Sequence, residues 1–262
     1  MIDGHIHIEA GAYTKEWIDE FVDRAMEMNL DEIWLLEHSY LFDEYVPMYD
    51  SVRTHSNYII KWFQRRAGIK DLDEFLRLAD EVRKKDYPIK IKFGLEVCYF
   101  EDSEDFIYDI AKNKELDFWL GSVHYADRFA YDHIVDLWEN EDVDKVYKDF
   151  FERSINLAKS GLFSGLAHPD CVKLFGHKPS FPLDDYYEKL AKALSMSKMY
   201  AEENSGIARR CPQTASLGMH EDLIKALKRY KVKIITASDA HSPKDVGDKI
   251  ELMERKLDSI FI

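Results

Sequence analysis

The sequence predicts a single-domain α/β barrel of parallel strands spanning residues 1–262, and three observations point there. Short apolar, β-rich runs alternate with longer stretches of helical period from one end of the chain to the other. Alternation of this kind produces parallel strands joined by right-handed crossovers. No Gly/Ser/Pro-rich linker interrupts it, and α/β barrels run to about 250 residues as one unit. A doubly wound sheet would also satisfy the alternation. Seven strand runs in one compact domain favour the barrel.

The strand runs are 2–7, 32–37, 89–97, 117–123, 162–167, 198–203 and 232–238. Each is a short, apolar, β-rich run. Between the first two, residues 15–29 place Trp17, Phe21, Ala25 and Met28 on one helical face. Residues 72–84 do the same with Leu72, Phe75, Leu76, Ala79 and Val82, and residues 143–159 with Val143, Val146, Phe150 and Ile155. Helices over 183–195, 219–230 and 244–257 complete the pattern. The segment 39–70 is longer than a usual βα loop and rich in Tyr, Phe and Arg, so it is expected to lie as a lid over the barrel mouth. Its aromatics at 40–63 read as packing within that lid.

Composition narrows the function. With 46% hydrophobic residues the chain is not disordered, and a formal charge of −14 lacks the basic footprint of a nucleic-acid binder. Any phosphate site must therefore be made positive locally, by metal ions or a few arginines. Cys98, Cys171 and Cys211 form no CxxC pair, which fits reduced thiols in a cytoplasmic protein. No apolar run approaches ~18 residues, and the opening MIDGHIHIE has neither a basic nor an apolar leader region, so neither a signal peptide nor a membrane span is expected.

The chemistry is carried by where the histidines and acids fall. His5 and His7 end the first strand, and period two puts them on one face. His38 follows the second strand, Glu96 ends the third, His124 the fourth and His168 the fifth, while Asp239 and His241 follow the seventh. Six of the seven strands deliver an imidazole or carboxylate at the end where α/β barrels build active sites. Singly, each of these is more often a surface or satisfied core residue; jointly they form a ligand set. Imidazole and carboxylate without thiolate suit Zn²⁺, Mn²⁺ or Fe²⁺. Two or three such ions would activate water near neutral pH and screen an anionic ester. His55, His133, His177 and His220 lie in loops or helices and read as ordinary residues, with His177 the strongest exception. The acidic run 101–105 reads as a solvated helix start.

These motifs resemble those of the PHP (polymerase and histidinol phosphatase) superfamily. The matching segments are His5-Ile6-His7, Glu37-His38, Gly94-Leu95-Glu96, Gly121-Ser122-Val123-His124, Ala167-His168-Pro169-Asp170 and Ser238-Asp239-Ala240-His241, in family order. The segments GSVHY, HPDCVKLFGH, EENSG and SDAHSPKDVG are most similar to the histidinol-phosphatase branch, and together they span nearly the whole chain. The resemblance implies a distorted (β/α)7 TIM-like barrel with a multi-metal site. A first ion would take His5, His7, Glu96 and Asp239. A second would share Glu96 and take His124 and His168. A third would take His38 and His241. It further implies a hydroxide nucleophile attacking a phosphate monoester in line, with Glu96, Asp239 and His241 as the catalytic candidates and L-histidinol phosphate as the leading substrate. Arg209 matches the family's Asn-x-x-Gly-x-Arg stretch with the glycine displaced by one, and is the candidate for phosphate binding; Arg210 is its alternate.

Two departures stand out. The branch's Glu-x-Tyr-Pro segment is replaced by residues 210–216, RCPQTAS, which leaves the organic half of the substrate open. The extra His or Asp that many members carry a few residues after His-x-His is also missing, so the third ion is expected to be the weaker. Glu9 lies in that region and is left outside the ligand set. The competing readings are a TatD-like nuclease or phosphodiesterase, a non-catalytic metal-binding module, and, more weakly, an amidohydrolase. The charge of −14 disfavours a polyanionic substrate, and the full ligand set argues against loss of catalysis. No strand-end lysine fits the bridging position of an amidohydrolase.

Overall fold

The computed structural model describes residues 1–111 and 115–261. The chain runs β1 (Ile2–His7), α1 (Lys15–Glu27), β2 (Glu32–His38), α2 (Asn57–Arg66), α3 (Leu72–Arg83), β3 (Lys90–Cys98), α4 (Glu104–Ala111), β4 (Phe118–Ser122), α5 (Val143–Ser160), β5 (Gly165–Leu166), α6 (Asp184–Ser197), β6 (Tyr200–Asn204), α7 (Gly206–Arg210), α8 (Glu221–Arg229), β7 (Ile234–Ala237) and α9 (Ile250–Ser259). All seven strands are parallel and pair in chain order. The fold is the distorted, TIM-like α/β barrel that the alternation predicts.

The β7–β1 seam is the distortion. Among the described residues no full ladder joins the two strands; one bridge, Ile6 with Ala240, crosses between β1 and the loop after β7. Asp3 supplies what the ladder omits. Its buried carboxylate accepts from Ser238 N at 2.8 Å and Gly247 N at 2.9 Å. Thr236 Oγ1 adds a bond to Ile2 O at 2.8 Å. Burial pushes the Asp3 carboxyl up to about 6, against the hydrogen bonds that lower it. One side chain thus ties the strand that carries His5 to the loop that carries Asp239.

The barrel interior is filled at its lower end by Ile2, Trp34, Leu36, Phe118, Leu120, Ala167, Tyr200 and Ile235. Gly94 makes room there, since a Cβ on it would come within 2.5 Å of the Phe118 ring. The larger core lies between strands and helices, where each fully buried aliphatic or aromatic side chain contributes ~1.5–3 kcal/mol.

The helices start where polar side chains cap them: Thr14 for α1, Asp71 for α3 and Asp142 for α5. α1 buries Ile18, Phe21, Val22 and Ala25, one residue round from the predicted face. Trp17 stays half-buried because its indole N–H bonds Ile8 O at 2.9 Å. Helices α2 and α7 and several 3₁₀ turns lie within stretches the periodicity leaves irregular. Strand β5 pairs over only Gly165–Leu166 of the expected 162–167. Cys98, Cys171 and Cys211 are free thiols. Among the described residues, no helix is long and apolar enough to cross a membrane.

Candidate metal centre

All eight proposed ligands converge above the C-terminal ends of the strands. His5 and His7 are fully buried, and their Nε2 atoms face each other at 2.9 Å. A register shift between Asp3 and Ile6 re-aims this part of β1.

Glu96, from the end of β3, sits between two groups of imidazoles. Its Oε2 lies 3.5 Å from His5 Nε2, 3.5 Å from His7 Nε2 and 2.7 Å from His38 Nδ1. Its Oε1 lies 3.0 Å from both His124 Nε2 and His168 Nε2. Asp239 Oδ1 closes the first group at 3.6 Å from both His5 Nε2 and His7 Nε2. His38 stacks on His7 with ring centroids 4.0 Å apart, and His241 is 4.4 Å from His7 on the open side.

The backbone works to hold this arrangement. Asp239 has φ of 55° and His168 φ of 37°, left-handed values that non-glycine residues adopt only under constraint. Gly206 makes the Asp239 pose accessible, since a Cβ there would lie 2.5 Å from Asp239 Oδ2.

Buried carboxylates orient the rings from behind. Glu202, on β6, bonds His5 Nδ1 at 3.0 Å and also accepts from His168 N and from Asn204 Nδ2. Asp132, in the β4–α5 loop, bonds His124 Nδ1 at 2.7 Å. Each bond anchors Nδ1 and turns Nε2 toward the cluster.

The donor set fits divalent metal ions. Donors that share an ion at ~2.0–2.2 Å stand roughly 3–4 Å from one another, the spacing found here. Glu96 Oε2 takes no hydrogen bond although the imidazole nitrogens of His5, His7 and His38 crowd it, and His7 Nδ1 and His168 Nδ1 are likewise unpartnered. Burial would push the Glu96 carboxyl up, but His38, His124 and His168 hold it well below the usual range. Asp239 is depressed likewise, with His5, His7 and His241 outweighing burial. Burial, helped by His38 and His241, keeps His7 well below its ordinary value and hence neutral. His5 and His124 go the other way: burial would lower them, but the carboxylates around each raise them well above the ordinary value.

The cluster opens into a cavity of about 490 Å³. Arg209 and Arg210 both reach its wall. Two Arg209 donors are taken by Ser238 O at 2.7 Å and Asp239 O at 2.5 Å. Arg210 bonds His133 O. Tyr40, Tyr49, Tyr58 and Trp62, assigned above to lid packing, line the same cavity, as do His133, Asp132 and Asp245. His177 lies elsewhere, stacked on Trp138 at 4.3 Å beside a second cavity. Of the site residues without a sequence assignment, Glu202 alone had a signal: β6 is the one strand ending in no predicted ligand, yet it carries a buried EEN.

An α/β barrel that gathers six histidines, a two-sided glutamate and an aspartate at its C-terminal mouth defines a metal-dependent hydrolase of the phosphoesterase type. Residues 3–206 match the PHP domain, and the chain belongs to that family. It is 23% identical over 255 residues to a probable histidinol-phosphatase of Deinococcus radiodurans, covering 94% of this chain and 88% of that one. It is 21% identical over 207 residues to a probable histidinol-phosphatase of Schizosaccharomyces pombe, covering 74% and 67%. Its fold is similar to that of the Lactococcus lactis histidinol phosphate phosphatase solved with zinc, L-histidinol and phosphate, with a TM-score of 0.71 and 19% identity over 98% of this chain and 91% of that one.

Proposed function

We propose that this protein hydrolyses a small phosphate monoester, L-histidinol phosphate, to the alcohol and phosphate, using two to three divalent ions of Zn, Mn or Fe. The observation that carries the proposal is Glu96, which presents one oxygen to His5, His7 and His38 and the other to His124 and His168. That is the arrangement of a carboxylate shared between two ions. His5, His7, Glu96 and Asp239 would hold the first ion, Glu96, His124 and His168 the second, and His38 with His241 the third. When bound, the ions would supply Lewis acidity, activating water and screening the phosphoryl charge.

The chain's own groups do the rest. Glu202 and Asp132 keep His5 and His124 turned toward the cluster. Arg209 and Arg210 supply local positive charge for the phosphate against a net charge of −14. The aromatic wall of Tyr40, Tyr58 and Trp62, with the acids Asp132 and Asp245, suits a flat cationic group such as the imidazole end of histidinol. Both named relatives and the zinc–histidinol–phosphate complex support the same substrate. Free buried thiols are in keeping with the cytoplasm.

The test is metal analysis of the purified protein, paired with phosphate release from histidinol phosphate and from a generic aryl phosphate. Bound metal with selective turnover of histidinol phosphate is expected. Bound metal with equal turnover of both esters would keep the phosphoesterase and discard the named substrate. No bound metal and no activity with any added metal would overturn the proposal.

A further inference from the structure

Beside the ligands already described lies a group of buried atoms that none of them satisfies. His7 Nδ1, Glu9 Oε2 and Glu37 Oε2 are each buried without a hydrogen-bond partner, and the three residues offer donor atoms within 4.8 Å of one another. His7 and Glu37 are fully buried, while the Glu9 side chain keeps 15% of its surface exposed. Glu37 Oε1 accepts from Tyr13 OH at 3.0 Å, so one of its oxygens is anchored away from the cluster. The nearby Lys70 ammonium bonds Gly11 O at 2.9 Å instead of either carboxylate. Two carboxylates and an imidazole thus face one another, and among the described residues no ammonium or guanidinium is bonded to either acid. Three buried donor atoms converging without a partner is the geometry that a shared ion completes.

Glu9 is the member placed to meet one. Its Oε2 points at His7 Nδ1, 3.8 Å away, and its Oε1 at His241 Nε2, also 3.8 Å away. These separations are close to the 3.6 Å that Asp239 keeps from His5 and His7, and lie in the roughly 3–4 Å range of donors sharing one ion. His7 directs its Nε2 to the first ion's ligands, which leaves its Nδ1 turned toward Glu9 Oε2. That leaves Glu9 Oε1 free to act with His241.

We infer that Glu9 is the carboxylate ligand of the third metal ion, one oxygen facing His7 and the other joining His38 and His241 around the ion. The inference rests on His38 and His241 as ligands, and it gives the third centre an anionic donor that the motif comparison does not supply. Glu37, held by Tyr13, stands beside Glu9.

The experiment is metal titration of the full chain without substrate. Protein stripped of metal is dialysed against buffered Mn²⁺ or Zn²⁺, and bound equivalents are counted. In E9Q the weakest equivalent is expected to lose at least about tenfold in affinity while the tighter ones stay in place. Glu9→Asp keeps the charge but draws it back from His241. It is expected to weaken the same equivalent and no other, which also covers the case in which E9Q folds poorly. Unchanged affinity of every equivalent in either variant, or a wild-type protein that never exceeds two, would overturn the assignment. The count is made without turnover. A protein that binds three ions in a Glu9-dependent way and releases no phosphate would sink the phosphatase proposal and leave this one standing.

Discussion

Two inner histidines of the cavity, His5 and His124, and the outer His241 are held in different ways. His5 and His124 each have the far ring nitrogen bonded to a buried carboxylate, Glu202 at 3.0 Å and Asp132 at 2.7 Å. His168 is fixed through its backbone by the same Glu202. At the rim, the far nitrogen of His241 bonds the backbone carbonyl of Asp239, at 3.1 Å, and its side chain is 47% exposed. A ligand whose tautomer and orientation are set before the ion arrives loses less entropy and less solvation on binding. The inner ions should therefore bind tightly and the outer one should exchange.

Removing the group that joins the inner halves should have the largest effect. Glu96→Gln takes away the charge and one of two acceptor oxygens, while four imidazoles and Asp239 keep their places. We expect kcat/KM to fall by more than ~100-fold, and at least one tightly bound equivalent to be lost. Retention of both metal and activity would show that the inner histidines need no shared carboxylate. Next comes the support. Asp132→Ala leaves His124 in place but free to turn, and metal affinity should fall ~10–100-fold. Competition with a chromophoric chelator measures this directly, and an unchanged constant would remove the physical basis of the inner–outer contrast. Cutting at the rim should do less. His241→Ala is expected to weaken only the last equivalent, by about tenfold, with the inner ions unmoved. If it strips all the metal instead, the two groups are one cooperative site.

The inner ligands were legible because strand geometry forces them into the sequence. A side chain that must enter the barrel mouth has to stand at the C-terminal end of a strand, so the ligands recur wherever an apolar run stops. The groups that hold them have no such constraint. Asp132 sits in the long loop between β4 and α5, where no periodicity marks it, and it finds His124 eight residues away only through the loop's fold. Glu202 lies within a strand and reads as a charge that ought not to be buried. Tyr40, Tyr58 and Trp62 were visible as an aromatic run, but whether they face inward or toward the cavity depends on how α2 packs. The same limit explains the one-residue error in the α1 face. Spacing alone cannot show that Trp17 would turn its indole to Ile8 O and leave Ile18 to take the core position.

Arg209 is where the contrast between held and free groups becomes a question about one side chain, and where the smallest effect is expected. Its guanidinium lines the cavity, yet two of its donors grip the carbonyls of Ser238 and Asp239, and Asp248 lies 3.5 Å away. An arginine in that position can strap the loop that presents Asp239, or it can lend its remaining donors and its charge to the phosphate. The two roles separate kinetically. Loss of a phosphate contact made equally in ground and transition states raises KM and leaves kcat alone, whereas loss of the strap disturbs Asp239 and lowers kcat together with metal affinity. For Arg209→Ala we expect the first pattern, a rise in KM of about fivefold, near 1 kcal/mol, with metal content unchanged. Arg209→Lys should recover part of it, because a single ammonium restores charge but not the forked grip on two carbonyls. A fall in kcat and metal content at constant KM would transfer the phosphate role to Arg210 and place Arg209 among the groups that hold the inner site in shape.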